Sequence, residues 1–244
     1  MYQKLIRRKG PLVRVIAFHD VADKKWFEEV INMLVQNYKV ITPDQFHAKE
    51  FDGERINVLL TFDDGYQSWI DICLPVLKKQ GIRALFFVSS GLLDIASDLQ
   101  KVAEYMQFRL LISPKMALTW NGAEKLLSEG HYIGGHTVTH PNLALLDTGA
   151  MKNEIQQDKN KIEATLGIKI LDFAYPFGQK KHKNAYILEN INQAGYMFAY
   201  STEAKFSTDN RMIDIPRVCV EKEQSKTNLQ LWVNGGYDLF NLLK

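Results

Sequence analysis

Short apolar, β-branched runs alternate along the chain with longer stretches in which apolar residues recur three and four positions apart. The first run, LVRVIAFHDV at residues 12–21, is followed by Trp26/Phe27, Val30/Ile31, Leu34/Val35 and Tyr38. That spacing stacks the second set on one face of a helix, so the two segments predict a strand and then an amphipathic helix. Further strands are expected at residues 39–42, 56–62, 82–89, 131–136, 168–175, 195–201 and 213–220. Helical patterns at residues 66–80, 120–129, 150–166, 184–194 and 225–231 accompany them. Strands that alternate with helices predict a parallel sheet. ALFFV and NVLL show no polar alternation and suit strands covered on both faces. A barrel and a doubly wound open sheet both meet that description, and periodicity does not separate them. Residues 92–118 break the alternation, with Pro114 near their end. A stretch of that length predicts an excursion over the rim rather than a domain boundary, so residues 1–244 are expected to form one α/β domain.

The length changes this picture little, because single α/β barrels commonly reach 244 residues. A formal net charge of +2 gives no electrostatic case for nucleic acid, whose binders concentrate basic charge far more strongly. Residues 1–18 contain a short apolar run broken by Arg14 and no small-residue cleavage site, and no apolar run is long enough to span a bilayer. The expected location is therefore the cytoplasm. The two cysteines, Cys73 and Cys219, are expected to be buried small hydrophobes, since two thiols so far apart have no metal spacing. Oligomeric state leaves no trace in the sequence.

Candidate chemistry collects at the carboxyl ends of the predicted strands. His19-Asp20 ends the first, Asp63-Asp64 ends NVLLTF, His136 and His140 follow HYIGG, and Tyr175-Pro176-Phe177-Gly178 ends ILDFA. This is the face on which α/β barrels and open α/β sheets build their sites. Two histidines four apart can close on one ion, and a nearby strand-end carboxylate completes a set of one Asp and two His. Such a set leaves positions open for water and substrate and suits Zn²⁺ or another borderline divalent metal. The adjacent aspartates need not share one duty, because successive strand residues face opposite ways.

TFDDGY (61–66), HTVTH (136–140) and YPFG (175–178) also carry a resemblance. In this order they resemble the first three motifs of the polysaccharide deacetylases of the NodB-homology type, carbohydrate esterase family 4. The resemblance spans roughly residues 13–220 and implies an incomplete (β/α)₇ barrel. It also implies metal-dependent hydrolysis of an N-acetyl, less often an O-acetyl, group on a poly- or oligosaccharide. By the same resemblance Asp63 is the base, and Asp64, His136 and His140 hold the metal, Zn²⁺ first with Co²⁺, Ni²⁺ or Mn²⁺ as alternatives. The backbone N–H of Phe177 then meets the oxyanion. Tyr66, Pro176 and Arg217 are placed on the substrate side, with Tyr66 at the cleft rim. Thr61 and Thr139 are candidates for supporting hydrogen bonds.

Two departures from the family pattern stand out. The commonest third motif has an Arg two positions before its proline, where it orients the catalytic Asp. Here that position is Ala174, and Arg217 in IPRV is a candidate replacement. The general acid is usually a His near the C-terminus, yet no histidine follows His182. Some members, similar to the exopolysaccharide N-deacetylases, have circularly permuted motifs and take the acid from the end of the first strand. AFHDV matches that form and nominates His19. The alternatives are a sugar-binding pseudoenzyme of the same fold and an amidase acting on a non-sugar C–N bond.

Overall fold

A computed structural model describes residues 11–202, 205–207, 213–220, 225–236 and 238. The N-terminal decapeptide, which entered the localisation argument, lies outside the described residues. Hydrophobic patterning produces a parallel sheet. Its strands are β1 (Val13–Phe18), β2 (Lys39–Ile41), β3 (Asn57–Phe62), β4 (Leu85–Val88), β5 (Tyr132–Gly135), β6 (Asp172–Ala174), β7 (Phe198–Tyr200), β8 (Ile213–Ile215) and β9 (Arg217–Cys219). The order is β8-β7-β6-β5-β4-β3-β1-β9, with β2 pairing the lower half of β3. β8 and β9 form one extended run interrupted at Pro216, whose first half pairs with β7 and second half with β1. The sheet thus curls into a nearly closed barrel with one unsealed seam, an incomplete (β/α)₇ barrel, which decides between the two architectures left open above.

Two cores follow from the alternation of side chains. Val13, Val15, Leu59, Leu85 and Phe87 fill the barrel, while Ile16, Phe18, Leu60, Phe62 and Phe86 face the helices. The helices start where side chains satisfy the first free amides. Asp23 caps α1 (Lys24–Asn37) by accepting from Trp26, and Asp147 caps α7 (Thr148–Leu166) by accepting from Ala150. Asn184 does the same for α8 (Ala185–Gln193), and Ser225 for α9 (Lys226–Val233).

The five-residue α2 (Pro43–His47) was not anticipated. A Thr42/Gln45 capping box starts it, Phe46 packs on Tyr200, and His47 reaches Asp172 at 2.8 Å, so the helix closes the barrel floor. The helix expected at residues 66–80 begins as a π-type turn at Trp69–Cys73 and becomes α3 only at Leu74–Lys79. The excursion holds α4 (Ser90–Asp94), α5 (Leu99–Tyr105) and a π-type turn at Met106–Leu110. It ends where Ala117 bridges Tyr66, followed by α6 (Trp120–Ser128). Cys73 is buried as expected, whereas Cys219, at the end of the last strand, is only half-buried. Among the described residues no helix is long and apolar enough to cross a membrane.

Candidate metal centre

The aspartate pair owes its geometry to the end of β3. The Asp63 N–H still donates to Phe18 O of β1 at 2.9 Å, so Asp63 continues the strand. At Asp64 the chain enters the left-handed region with φ of 85°, followed by Gly65 at 123°. A non-glycine residue held there is strained, and such strain concentrates at functional sites. Thr137, His140 and Phe177 are held likewise, with φ of 69°, 53° and 61°.

This turn sends the two carboxylates to different partners. Both oxygens of Asp63 accept from Arg217, each at 2.6 Å, in a buried bidentate pair. Arg217 also donates to Thr61 Oγ1 and to Ser201 O, each at 3.1 Å. Asp64 instead faces the histidines. Its Oδ2 accepts from the Tyr66 hydroxyl at 2.8 Å, while Oδ1 lies 3.4 Å from Nε2 of both His136 and His140.

The imidazoles are oriented from behind. His136 Nδ1 lies 2.8 Å from Ala174 O, and His140 Nδ1 lies 3.3 Å from Arg109 O. Because carbonyls only accept, each Nδ1 carries the proton and each Nε2 turns a lone pair toward Asp64. The three ligand atoms lie within 4.8 Å of one another and are buried. At metal–ligand bonds of about 2.0–2.1 Å, two ligands of a tetrahedral zinc lie about 3.3–3.4 Å apart. The 3.4 Å Oδ1–Nε2 separations therefore fit a shared divalent ion better than direct hydrogen bonds. The residues suit the group that the resemblance implies.

The charges follow from burial and proximity. Burial would raise the Asp63 carboxyl, but Arg217 and then His136 outweigh it and hold the group below the usual carboxylate range. Burial takes the His140 imidazole down to about 4. The Asp158 carboxyl beneath the site is pushed up to about 7 by burial.

The remaining candidates are distributed as follows. His19 follows β1, which pairs with β3 in the register Phe18↔Phe62, so its half-buried ring reaches the face of the aspartates. Its carbonyl accepts from Trp69 Nε1 at 3.0 Å, and the ring has no hydrogen-bond partner among the described residues. Asp20, the next residue, accepts from Ser68 Oγ at 2.8 Å and pairs with Lys115 at 3.3 Å. Tyr66, placed at the cleft rim from the sequence, is only 3% exposed and lies beneath Asp64. Its hydroxyl is drawn inward by the carboxylate two residues before it. Pro176 is buried, and the half-buried Phe177 meets the His140 ring edge-on, with centroids 4.8 Å apart. The Phe177 N–H has no partner among the described residues. Arg217 is fully buried against Asp63, which separates it from the substrate side where the sequence set it.

Thr61 donates to Ile16 O, and Thr139 is clasped by Glu154 through both its N–H and its hydroxyl. Sequence reasoning missed Glu154, Asp158 and the Arg109 carbonyl. The only trace was Asp158 itself, an acid on the otherwise apolar face Met151, Ile155 and Ile162.

Known proteins resemble this chain in sequence and in fold. A family model for polysaccharide deacetylases matches residues 52–199, more than half of the chain. An uncharacterised 30.6 kDa protein of Geobacillus stearothermophilus is 27% identical over 117 residues, 48% of this chain and 36% of its own length. The chain thus spans about a third of that relative. A peptidoglycan-N-acetylglucosamine deacetylase of Bacillus cereus is 25% identical over 173 residues, 69% of this chain and 54% of the relative. Among solved structures, the Streptococcus pyogenes deacetylase PplD superposes with a TM-score of 0.75 at 19% identity, covering 92% of this chain and 99% of that one. IcaB from Ammonifex degensii gives 0.72 at 22% identity, over 92% and 98%. These two likenesses concern the fold, whereas the family match rests on sequence and contains both the aspartate pair and the two histidines. The chain belongs to the polysaccharide deacetylase family.

Proposed function

We propose that the protein is a metal-dependent hydrolase that removes the acetyl group from an N-acetylated amino sugar in a poly- or oligosaccharide. The observation that carries this reading is the division of labour between neighbours: Asp64 faces His136 and His140, while Asp63 is held beside them by Arg217. One divalent ion, zinc by its donor set of one carboxylate and two imidazoles, would be held by Asp64, His136 and His140 and would polarise the acetyl carbonyl and acidify a water. Asp63 takes that water's proton as its oxygen adds to the carbonyl carbon. Arg217 fixes the direction of the carboxylate and keeps it ionised. The unengaged Phe177 N–H is suited to the developing oxyanion. As the C–N bond breaks, His19 gives a proton to the departing nitrogen, releasing acetate and a free amine.

Acetate release from N-acetylglucosamine oligomers, measured after chelation and after zinc is restored, tests the proposal. Loss and recovery of activity are expected. Undiminished release from metal-free protein would overturn it.

A further inference from the structure

Asp158 sits in the middle of α7, on the stripe formed by Met151, Ile155 and Ile162, and is 0% exposed. An apolar residue would continue that stripe, and a lone buried carboxylate is costly unless its oxygens are occupied. They are occupied by backbone. Oδ1 accepts the Ser90 N–H at 2.9 Å, and Oδ2 accepts the His136 N–H at 3.0 Å. These amides lie just past the ends of two adjacent strands, β4 and β5, with Ser90 opening α4 and His136 following Gly135. Between them Ser89 completes the circuit, with its N–H on Asp64 O at 3.2 Å and its hydroxyl on His136 O at 3.1 Å. Two residues of the candidate metal set are thereby tied through backbone to one carboxylate. Lys159, the adjacent cation, is turned away to Ile170 O and Glu163.

The glycine before His136 belongs to the same device. A Cβ on Gly135 would lie 2.1 Å from Tyr196 Oη and 2.8 Å from Asp158 Oδ2, so a side chain there would push the carboxylate off its amides.

We infer that Asp158 is a positioning residue for the metal centre, clasping the His136 and Ser90 amides so that His136 Nε2 and Asp64 Oδ1 meet at one point. This rests on the metal-site reading above. Its reach is through backbone orientation rather than contact with an ion, and substitutions behind metal ligands typically cost about 10–100-fold in affinity. An amide in place of the carboxylate offers one acceptor where two are needed, with its NH₂ set against an N–H.

The test is zinc affinity of the metal-free protein by chelator competition, for wild type, Asp158→Asn and Asp158→Leu, with thermal unfolding alongside. Asp158→Leu continues the apolar stripe and is expected to fold. Both variants should bind zinc about 10–100-fold more weakly. The cobalt-loaded variants should also show altered visible absorption, a readout that a role in folding alone would leave unmoved. Native affinity and an unaltered cobalt spectrum in a folded variant would overturn the inference, and absence of zinc binding by the wild type would overturn the metal reading itself. Should neither variant fold, amide exchange in metal-free wild type decides. Slow exchange at His136 and Ser90 is expected, and rapid exchange would overturn the clasp.

Discussion

Arg217 and Asp63 stand 154 residues apart in the chain yet form a buried bidentate pair, with both N–O contacts at 2.6 Å. The position two residues before the third-motif proline is Ala174, whose side chain cannot reach a carboxylate; its carbonyl orients His136 instead. The guanidinium comes from β9, the strand that nearly closes the barrel, and enters the interior beside Val15 and Phe87. The orienting role that the commonest family pattern gives to the third-motif strand falls here to β9.

Arg217→Lys should keep the charge but lose the fork that holds both oxygens. Zinc content should stay unchanged while kcat falls about 10²-fold, the scale of a misoriented reacting group. Arg217→Ala leaves Asp63 buried without a partner and should cost about 3–5 kcal/mol of stability. Kinetics with metal analysis and urea unfolding check the two variants, and a lysine variant with native kcat would remove the orienting role.

Asp63→Asn should retain the metal and lose about 10²–10⁴-fold in turnover, because an amide cannot take the water's proton. Its stability should also fall, since Arg217 loses its counter-charge. Elemental analysis beside acetate release separates the outcomes. Loss of metal together with activity would make Asp63 a ligand instead.

His19→Gln should leave metal content intact and lower hydrolysis of an N-acetyl substrate by about 10²–10⁴-fold. An O-acetyl substrate should suffer less, because an alkoxide departs more readily than an amine. Equal losses on both substrates, measured side by side, would argue against proton donation to the leaving atom.

Acid stability should depend on His131. Burial takes this imidazole from its ordinary 6.5 to about 4, outweighing the opposing pull of Glu129, and its Nδ1 accepts the Ala84 N–H at 3.1 Å. The folded state therefore needs the ring neutral, whereas the unfolded chain protonates it first. Stability is complete above pH 6.5 and is lost as the pH falls from there toward 4. At about 1.4 kcal/mol per pH unit the loss reaches about 3 kcal/mol. Urea unfolding of wild type and His131→Gln across this range should give a shallower acid limb for the variant, and parallel limbs would dismiss the effect.

The strands, the long helices and the face carrying the chemistry were legible because each rests on short-range regularity. Apolar runs mark strands buried on both sides, a 3.6-residue period marks α1, α7 and α8, and strand ends can be counted along the chain. Asp63, Asp64, His136 and His140 were legible as local clusters that local propensity alone does not require. Helix α2 was too short to show a period, and the π-type turns depend on packing rather than pattern.

Which distant partners barrel closure brings together was decided only by the tertiary structure. Whether Arg217 stood on the substrate side or held Asp63 depended on β9 lying against β1, a contact across most of the chain. Whether Tyr66 reached substrate or Asp64 depended on the left-handed turn at Asp64. Periodicity specifies which face of an element is buried, but it carries no information about which distant element arrives to cover it. That choice is made by the closure of the sheet as a whole.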